Sequence, residues 1–489
     1  MRKVFLFIIS FFTVVCPCLT ATDTFFCYFA TWATYRNGNG KVDIENIDVH
    51  LCTHVIYTFV GLSSSGDVKL LDSWHDISLG GLDRFINLKK KNPSLKLLVA
   101  MGGWNEGSTI YSNVANSPNL RSKMVSSVVN FCKKYGFDGF DLDWEYPGLR
   151  GGASTDRVAY IELLKALRTA FNNEGLILTT AVGASAHFLS SSYNAAEMVK
   201  HVHYILLMTY DLRSAYDGNT GQNSPLYSSS KESSSVSTYN VHSAVNAWIQ
   251  AGANPSSLVL GIPLYGKSFT LANSNNNGLG ARTTGPGPAG PYTETPGTLN
   301  YIEVCEKHLQ GGWAIVWDND QKVPYAYKGN EWIGYDNIDS VKEKTEYAIS
   351  RNLAGVMIYS LEQDDIRGIC GNGEYPLMSA IRSTLNNGGG MDPSTTTKEP
   401  SITTSTKSSS TSSAISTTTK SSSTSTILPP PSGTVCQDVG YARDPNKCNI
   451  FYRCEKNLQG GFKETQFDCG NLCFDLNRNV CNYCTSVTC

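Results

Sequence analysis

The stretch FDGFDLDWEYPG, residues 137–148, decides the reading of this chain. Its carboxylates stand at Asp138, Asp141, Asp143 and Glu145, interleaved with Phe140, Leu142 and Trp144. A β-strand turns successive side chains to opposite faces, so Asp141, Asp143 and Glu145 share one face and the three apolar residues share the other. Neighbours in such a row lie roughly 6.5 Å apart. Three carboxylates this close resist simultaneous ionisation, so at least one pKa is expected to rise. A raised carboxyl pKa is what a general acid needs near neutral pH. An exposed charged edge strand would have no use for three large apolar residues behind the acids. A calcium loop would need more oxygen donors in a turn, with glycine at the bend.

On either side of this stretch, short β-branched and aromatic runs alternate with longer helical patterns. Strands are expected near Phe25–Ala30, His54–Phe59, Leu95–Ala100, Gly139–Leu142, Leu176–Val182, Tyr204–Met208, Leu258–Gly261 and Gly355–Ile358. Eight short apolar strands, most followed by a helix-like segment, point to an α/β fold of the (β/α)8 TIM-barrel type. A doubly wound open sheet is disfavoured because no glycine-rich phosphate loop follows the first strand. The seventh and eighth strands are too far apart for one crossover. Between them lie WAIVWDND, VPYAYKG and EWIGYDN, which read as antiparallel strands with turns. A small α+β insertion domain is expected there, over about 265–335.

At 489 residues the chain should hold more than one domain. A formal charge of −2 gives no reason to propose nucleic acid or an anionic membrane as partner. Arg2-Lys3 followed by an apolar run from Val4 to Val15 reads as a secretory signal over 1–21, too short to span a bilayer. A secreted, extracellular protein is expected. Thirteen of the 15 cysteines lie beyond that segment, eight of them within 436–489, which reads as a disulfide framework in an oxidising compartment. The span 22–387 is expected to be the catalytic barrel. Within 388–433, 25 of the 33 residues from Ser394 to Thr426 are Ser or Thr, the composition of an O-glycosylated, mucin-like linker.

In a (β/α)8 barrel, chemistry sits at the C-terminal ends of the strands. The acid row climbs the fourth strand to that rim with Glu145 last. Other strand ends carry matching residues: Tyr28, Trp32 and Phe59 at the first two, Gly102, Gly103 and Trp104 after the third, Met208, Tyr210 and Asp211 after the sixth, Tyr265 and Lys267 after the seventh. The complete DxxDxDxE pattern and these segments resemble the family-18 chitinases over nearly all of 24–387. The resemblance implies that Glu145 protonates the glycosidic oxygen. Asp143 would orient the substrate's acetamido group and share a proton with Glu145, and Asp141 would keep Asp143 poised. The N-acetyl oxygen would attack the anomeric carbon, so configuration is retained without a second carboxylate acting as nucleophile. Tyr210 would donate to that acetamide and Asp211 would hold the sugar at the cleaved bond. Tyr28, Phe59, Trp104, Met208, Tyr265, Lys267 and Tyr359 would line the groove. Disulfides Cys27–Cys52 and Cys305–Cys370 are implied in the same way, which leaves Cys132 as an inert buried thiol.

The chain departs from the family pattern at three places. Tyr359 stands where the family usually has tryptophan beneath the reacting sugar. Arg213-Ser214-Ala215-Tyr216 replaces the usual His-Gly-x-Trp. Lys267 replaces an arginine and loses its planar donor fork. None of these removes a proton-transfer group.

Within 434–489, Cys436, Cys448, Cys454, Cys469, Cys481 and Cys489 are separated by 11, 5, 14, 11 and 7 residues. That spacing resembles a peritrophin-A type chitin-binding domain, a small disulfide-rich β module whose connectivity stays open. Cys473 and Cys484 are extra and could bridge each other. A zinc reading of the CxxC at Cys481 and Cys484 is disfavoured, because no histidine follows His308. The resemblance thus implies an endochitinase-type hydrolase acting as a monomer, with chitin and N-acetylglucosamine oligomers as partners and no cofactor or metal. The rival readings are a chitinase-like lectin and a chitin-matrix protein; such lectins typically lack the acid that Glu145 supplies.

Overall fold

A computed structural model describes residues 22–388 and, beyond them, five strands between residues 440 and 482. Eight strands follow in chain order: β1 (Thr24–Ala30), β2 (His54–Leu62), β3 (Lys96–Gly102), β4 (Gly139–Asp143), β5 (Ile177–Gly183), β6 (Tyr204–Met208), β7 (Leu258–Pro263) and β8 (Gly355–Tyr359). Each pairs in parallel with the next. β8 pairs in parallel with β1 and closes the barrel. Strand ends differ from the expected ones by a few residues; β2 runs on to Leu62 and β3 to Gly102.

Period-two alternation on β4 sorts its side chains into two cores. Phe140, Leu142 and Trp144 join the apolar layer between barrel and helices, with Leu163, Leu167 and Phe171. Phe26, Tyr28, Ile56, Leu98, Ala100, Leu206, Val259 and Met357 fill the barrel interior. Asp141 and Asp143 are buried as well. The outer helices include Pro118–Tyr135 and Asp156–Glu174. Ser117 caps the first through the Leu120 amide, and both end on a glycine in the left-handed conformation, Gly136 and Gly175, which glycine adopts without a Cβ clash. No described helix is long and apolar enough to cross a membrane.

Between β7 and β8, six strands from Tyr265 to Gly334 form a second, antiparallel sheet with the helix Tyr301–Leu309. One cluster on it holds Phe269, Leu271 and Trp332, another Leu299, Val304 and Ile333. The sheet belongs to the same compact unit as the barrel. Cys27–Cys52 and Cys305–Cys370 are both bonded. The second of these ties the sheet's helix to the loop after β8. Cys132 is free and buried, and burial pushes its thiol up to about 12.

The second unit contains a three-stranded antiparallel sheet, Gly440–Arg443, Ile450–Lys456 and Phe462–Asp468, and a ladder of Cys473–Asp475 with Val480–Asn482. The expected bonding of Cys436, Cys448, Cys454, Cys469, Cys481 and Cys489 lies outside the described residues. So do the leader over 1–21 and, apart from Gly388, the linker over 388–433.

Candidate functional site

The C-terminal ends of the barrel strands gather the acid row. Asp141 lies deepest and is fully buried. The Tyr28 hydroxyl donates to its Oδ2 at 2.7 Å and the Thr179 hydroxyl to its Oδ1 at 2.6 Å. Burial lifts this carboxyl to about 6, although both hydrogen bonds pull it down. Asp143 ends β4, and its Oδ1 is buried without a hydrogen-bond partner among the described residues. Burial, then the charges of Glu145 and Asp141, hold its pKa well above the usual carboxylate range. Glu145 sits just beyond the strand. Burial lifts it to about 7 against the opposing Tyr146 hydrogen bond and the Arg150 charge.

Sequence reasoning assigned the raised acid pKa to crowding of like charges. The structure puts burial first at all three carboxyls, with charge repulsion second at Asp143. Alternation predicts which residues share a face; only the closed barrel shows how little water reaches them.

The approach of β3 to β4 explains the Gly102-Gly103 pair. A Cβ on Gly102 would lie 1.9 Å from the Asp143 carbonyl oxygen. Gly102 also has a φ of 124°, a conformation open in practice to glycine. The Gly103 amide donates to that same carbonyl at 2.9 Å, which fixes the base of the loop carrying Trp104.

Aromatic residues wall the acids. Tyr28, Tyr210 and Tyr265 are buried in one cluster, with Phe59, Met208 and Tyr359 half-buried against them. Tyr359 lies 5.7 Å from Tyr28 and 6.1 Å from Tyr210, ring centre to ring centre. The Tyr210 hydroxyl contacts Met357 Sδ at 3.8 Å. Burial, then Asp143, raises its pKa well above the usual phenol value, so it stays a donor. Trp32 stacks on Phe59 at 6.1 Å. Trp104 and Tyr216 stand out at the rim, 61% and 83% exposed.

Asp211 Oδ1 accepts from the Tyr265 hydroxyl at 2.8 Å and pairs with Lys267 Nζ at 2.7 Å. Its backbone is left-handed, φ 54°, a conformation Asp tolerates better than most residues, and its amide donates to Asn223 Oδ1 at 3.0 Å. Asn223 also donates to the Tyr265 carbonyl at 3.0 Å. Arg213 forms ion pairs with Asp217 and Glu232.

The residues expected at the site therefore converge on one barrel mouth. Sequence reasoning missed Thr179, Asn223, Tyr146, Met357 and Arg150. Thr179 was legible as one of two threonines, with Thr180, on an otherwise apolar strand, and Tyr146 as the neighbour of Glu145. Arg150 meets the site through the loop after β4, and Asn223 and Met357 through contacts distant in sequence. Among the described residues one group, Cys305, Asp365 and Cys370, has the spacing of metal ligands. Its two sulfurs are joined to each other, and Asp365 instead accepts from the Ile369 and Cys370 amides.

Residues 24–364 match the sequence profile of Glycosyl hydrolases family 18, and the chain belongs to that family. It is 42% identical to the Ostrinia furnacalis Group IV chitinase, whose crystal structure in complex with allosamidin superposes with a TM-score of 0.74, covering 75% of this chain and 99% of that one. Human YKL-39, described as a pseudo-chitinase with retained chitooligosaccharide binding properties, is 36% identical with a TM-score of 0.70, covering 75% and 100%. Probable chitinase 10 of Drosophila melanogaster is 39% identical over 369 residues, which span 74% of this chain but 16% of that much longer protein.

Proposed function

We propose that this chain is a secreted chitinase that hydrolyses β-1,4 bonds between N-acetylglucosamine units with retention of configuration, and that its C-terminal module anchors it to chitin. The observation that carries the reading is Glu145, a buried carboxyl lifted to about 7 at the end of the acid row. Such a group holds a proton near neutral pH and can deliver it to a leaving oxygen. As the glycosidic oxygen takes that proton and the bond to the anomeric carbon breaks, the substrate's N-acetyl oxygen bonds to the same carbon. Asp143, whose Oδ1 has no other partner among the described residues, would accept from the acetamide N–H. Tyr210 would donate to the acetamide oxygen. Water, deprotonated by Glu145, would then open the cyclic intermediate and restore the acid. Asp211, Tyr265, Lys267, Tyr359, Phe59, Met208 and Trp104 would line the groove.

The lectin reading suggested by YKL-39 is opposed by the protonatable Glu145 in place. Release of short oligosaccharides from colloidal chitin and from soluble N-acetylglucosamine oligomers tests the proposal. Binding of oligomers without products would establish the lectin instead.

A further inference from the structure

Arg150 makes three contacts that the proposed reaction does not use. Its guanidinium carbon lies 3.5 Å from the centre of the Trp104 ring. Its Nη2 donates to the Trp104 carbonyl at 2.7 Å, and its Nη1 donates to the Glu145 carbonyl at 2.8 Å. One planar group thus covers a face of the most exposed tryptophan and ties the backbone of its loop to that of the acid.

The segment carrying Arg150 is itself firmly built. It turns around Asp156, whose buried carboxylate accepts from the Gly148 amide at 3.0 Å, the Ala153 amide at 2.9 Å, Ser112 Oγ at 2.6 Å and Asn116 Nδ2 at 2.7 Å. Arg150 has a left-handed backbone, φ 52°, uncommon for a long side chain. Ser108 Oγ, in turn, donates to the Tyr146 carbonyl at 2.9 Å and accepts from Trp144 Nε1 at 3.0 Å. The loop after β3 and the loop after β4 are thereby joined twice, by Ser108 from within and by Arg150 from the rim.

An indole at 61% exposure would ordinarily sample several rotamers. With one face against a guanidinium, it presents a single open face in a fixed place relative to Glu145. We propose that Arg150 is a positioning residue, whose planar guanidinium locks the Trp104 indole as a stacking platform for a saccharide ring held in register with the Glu145 backbone. The saccharide part of this rests on the function proposed above; the lock itself does not. Lysine could supply the charge but neither the flat stacking surface nor the two-pronged donation. An unlocked indole would have to be ordered at each binding event, which costs about 3- to 10-fold in affinity for one such side chain.

The full chain labelled with 5-fluorotryptophan gives one fluorine signal for each of its eight tryptophans, and the signal lost in Trp104→Phe identifies Trp104. Arg150→Met and Arg150→Lys should both shift or broaden that signal. In a Glu145→Gln background both should weaken binding of the N-acetylglucosamine hexamer about 3- to 10-fold. An unmoved Trp104 signal in Arg150→Met, or full recovery of signal and affinity by Arg150→Lys, overturns the proposal. A shifted signal with no hexamer binding even in the Arg150-containing protein upholds the lock and overturns the saccharide reading instead.

Discussion

Tyr28 on β1 donates a 2.7 Å hydrogen bond to Asp141 on β4, across the interior of the barrel. With Thr179 on the other oxygen, it holds the deepest acid of the row in one rotamer. In the proposed mechanism Asp141 acts on Asp143, whose pKa its charge helps to raise, rather than on substrate. Tyr28→Phe removes the hydroxyl and keeps the ring. A hydrogen bond to a charged group contributes about 1.5–3 kcal/mol, so kcat should fall about 10-fold or more while KM changes little. Steady-state kinetics on a soluble oligomer check this; an unchanged kcat would detach Tyr28 from the acid row.

The pH profile should carry the signature of Glu145. If its acid form is the proposed donor, activity should be present below about 7 and lost as pH rises through that value. The basic limb of kcat/KM should fall near 7 and vanish from the residual rate of Glu145→Gln. A limb near the ordinary glutamate value would show that burial does not govern the acid.

The same burial costs stability. A carboxyl whose folded pKa is raised contributes stability that is fully present below its unfolded pKa and lost as pH rises through the folded one. For Glu145 the window runs from about 4.5 to about 7, and the loss above it is on the order of a few kcal/mol. The melting-temperature advantage of Glu145→Gln over the parent should therefore grow between pH 4 and pH 8. Asp143→Asn should behave in the same direction, because its carboxyl is also held high by burial. A difference that stays flat with pH would mean that neither carboxyl's folded pKa departs from its unfolded one.

Much of this site was legible because β-strand alternation is a local rule. Phe140, Leu142 and Trp144 face the helices and Asp141 and Asp143 face the interior, as residue order alone dictates. The aromatic residues at strand ends were legible for a related reason, since parallel closure brings every strand's C-terminal end to one mouth. Part of what escaped reading depends on pairs distant in sequence. Asn223 reaches Asp211 and Tyr265. The buried Lys344 pairs with Asp336 and donates to Ser224 Oγ at 2.9 Å. No periodicity links such positions. Burial of the acids escaped too, because it is a property of the closed barrel and not of the strand that carries them.

Separating the two units gives a further test. A chain ending at Gly388, where the described helix Pro376–Gly388 stops, should keep its hydrolysis of soluble oligomers within about two-fold. On insoluble chitin it should lose most of its activity, since tethering raises effective concentration without touching the chemistry. Equal rates of the two forms on insoluble chitin would remove the anchoring role.

Turnover of a soluble N-acetylglucosamine oligomer by Glu145→Gln decides whether Glu145 is the proton donor. General acid groups contribute typically about 10²–10⁴-fold, and loss of a sole donor belongs at the upper end. The kcat of Glu145→Gln should be at least about 10³-fold lower, with oligomer binding retained in the groove. Near-parental turnover by Glu145→Gln would contradict it.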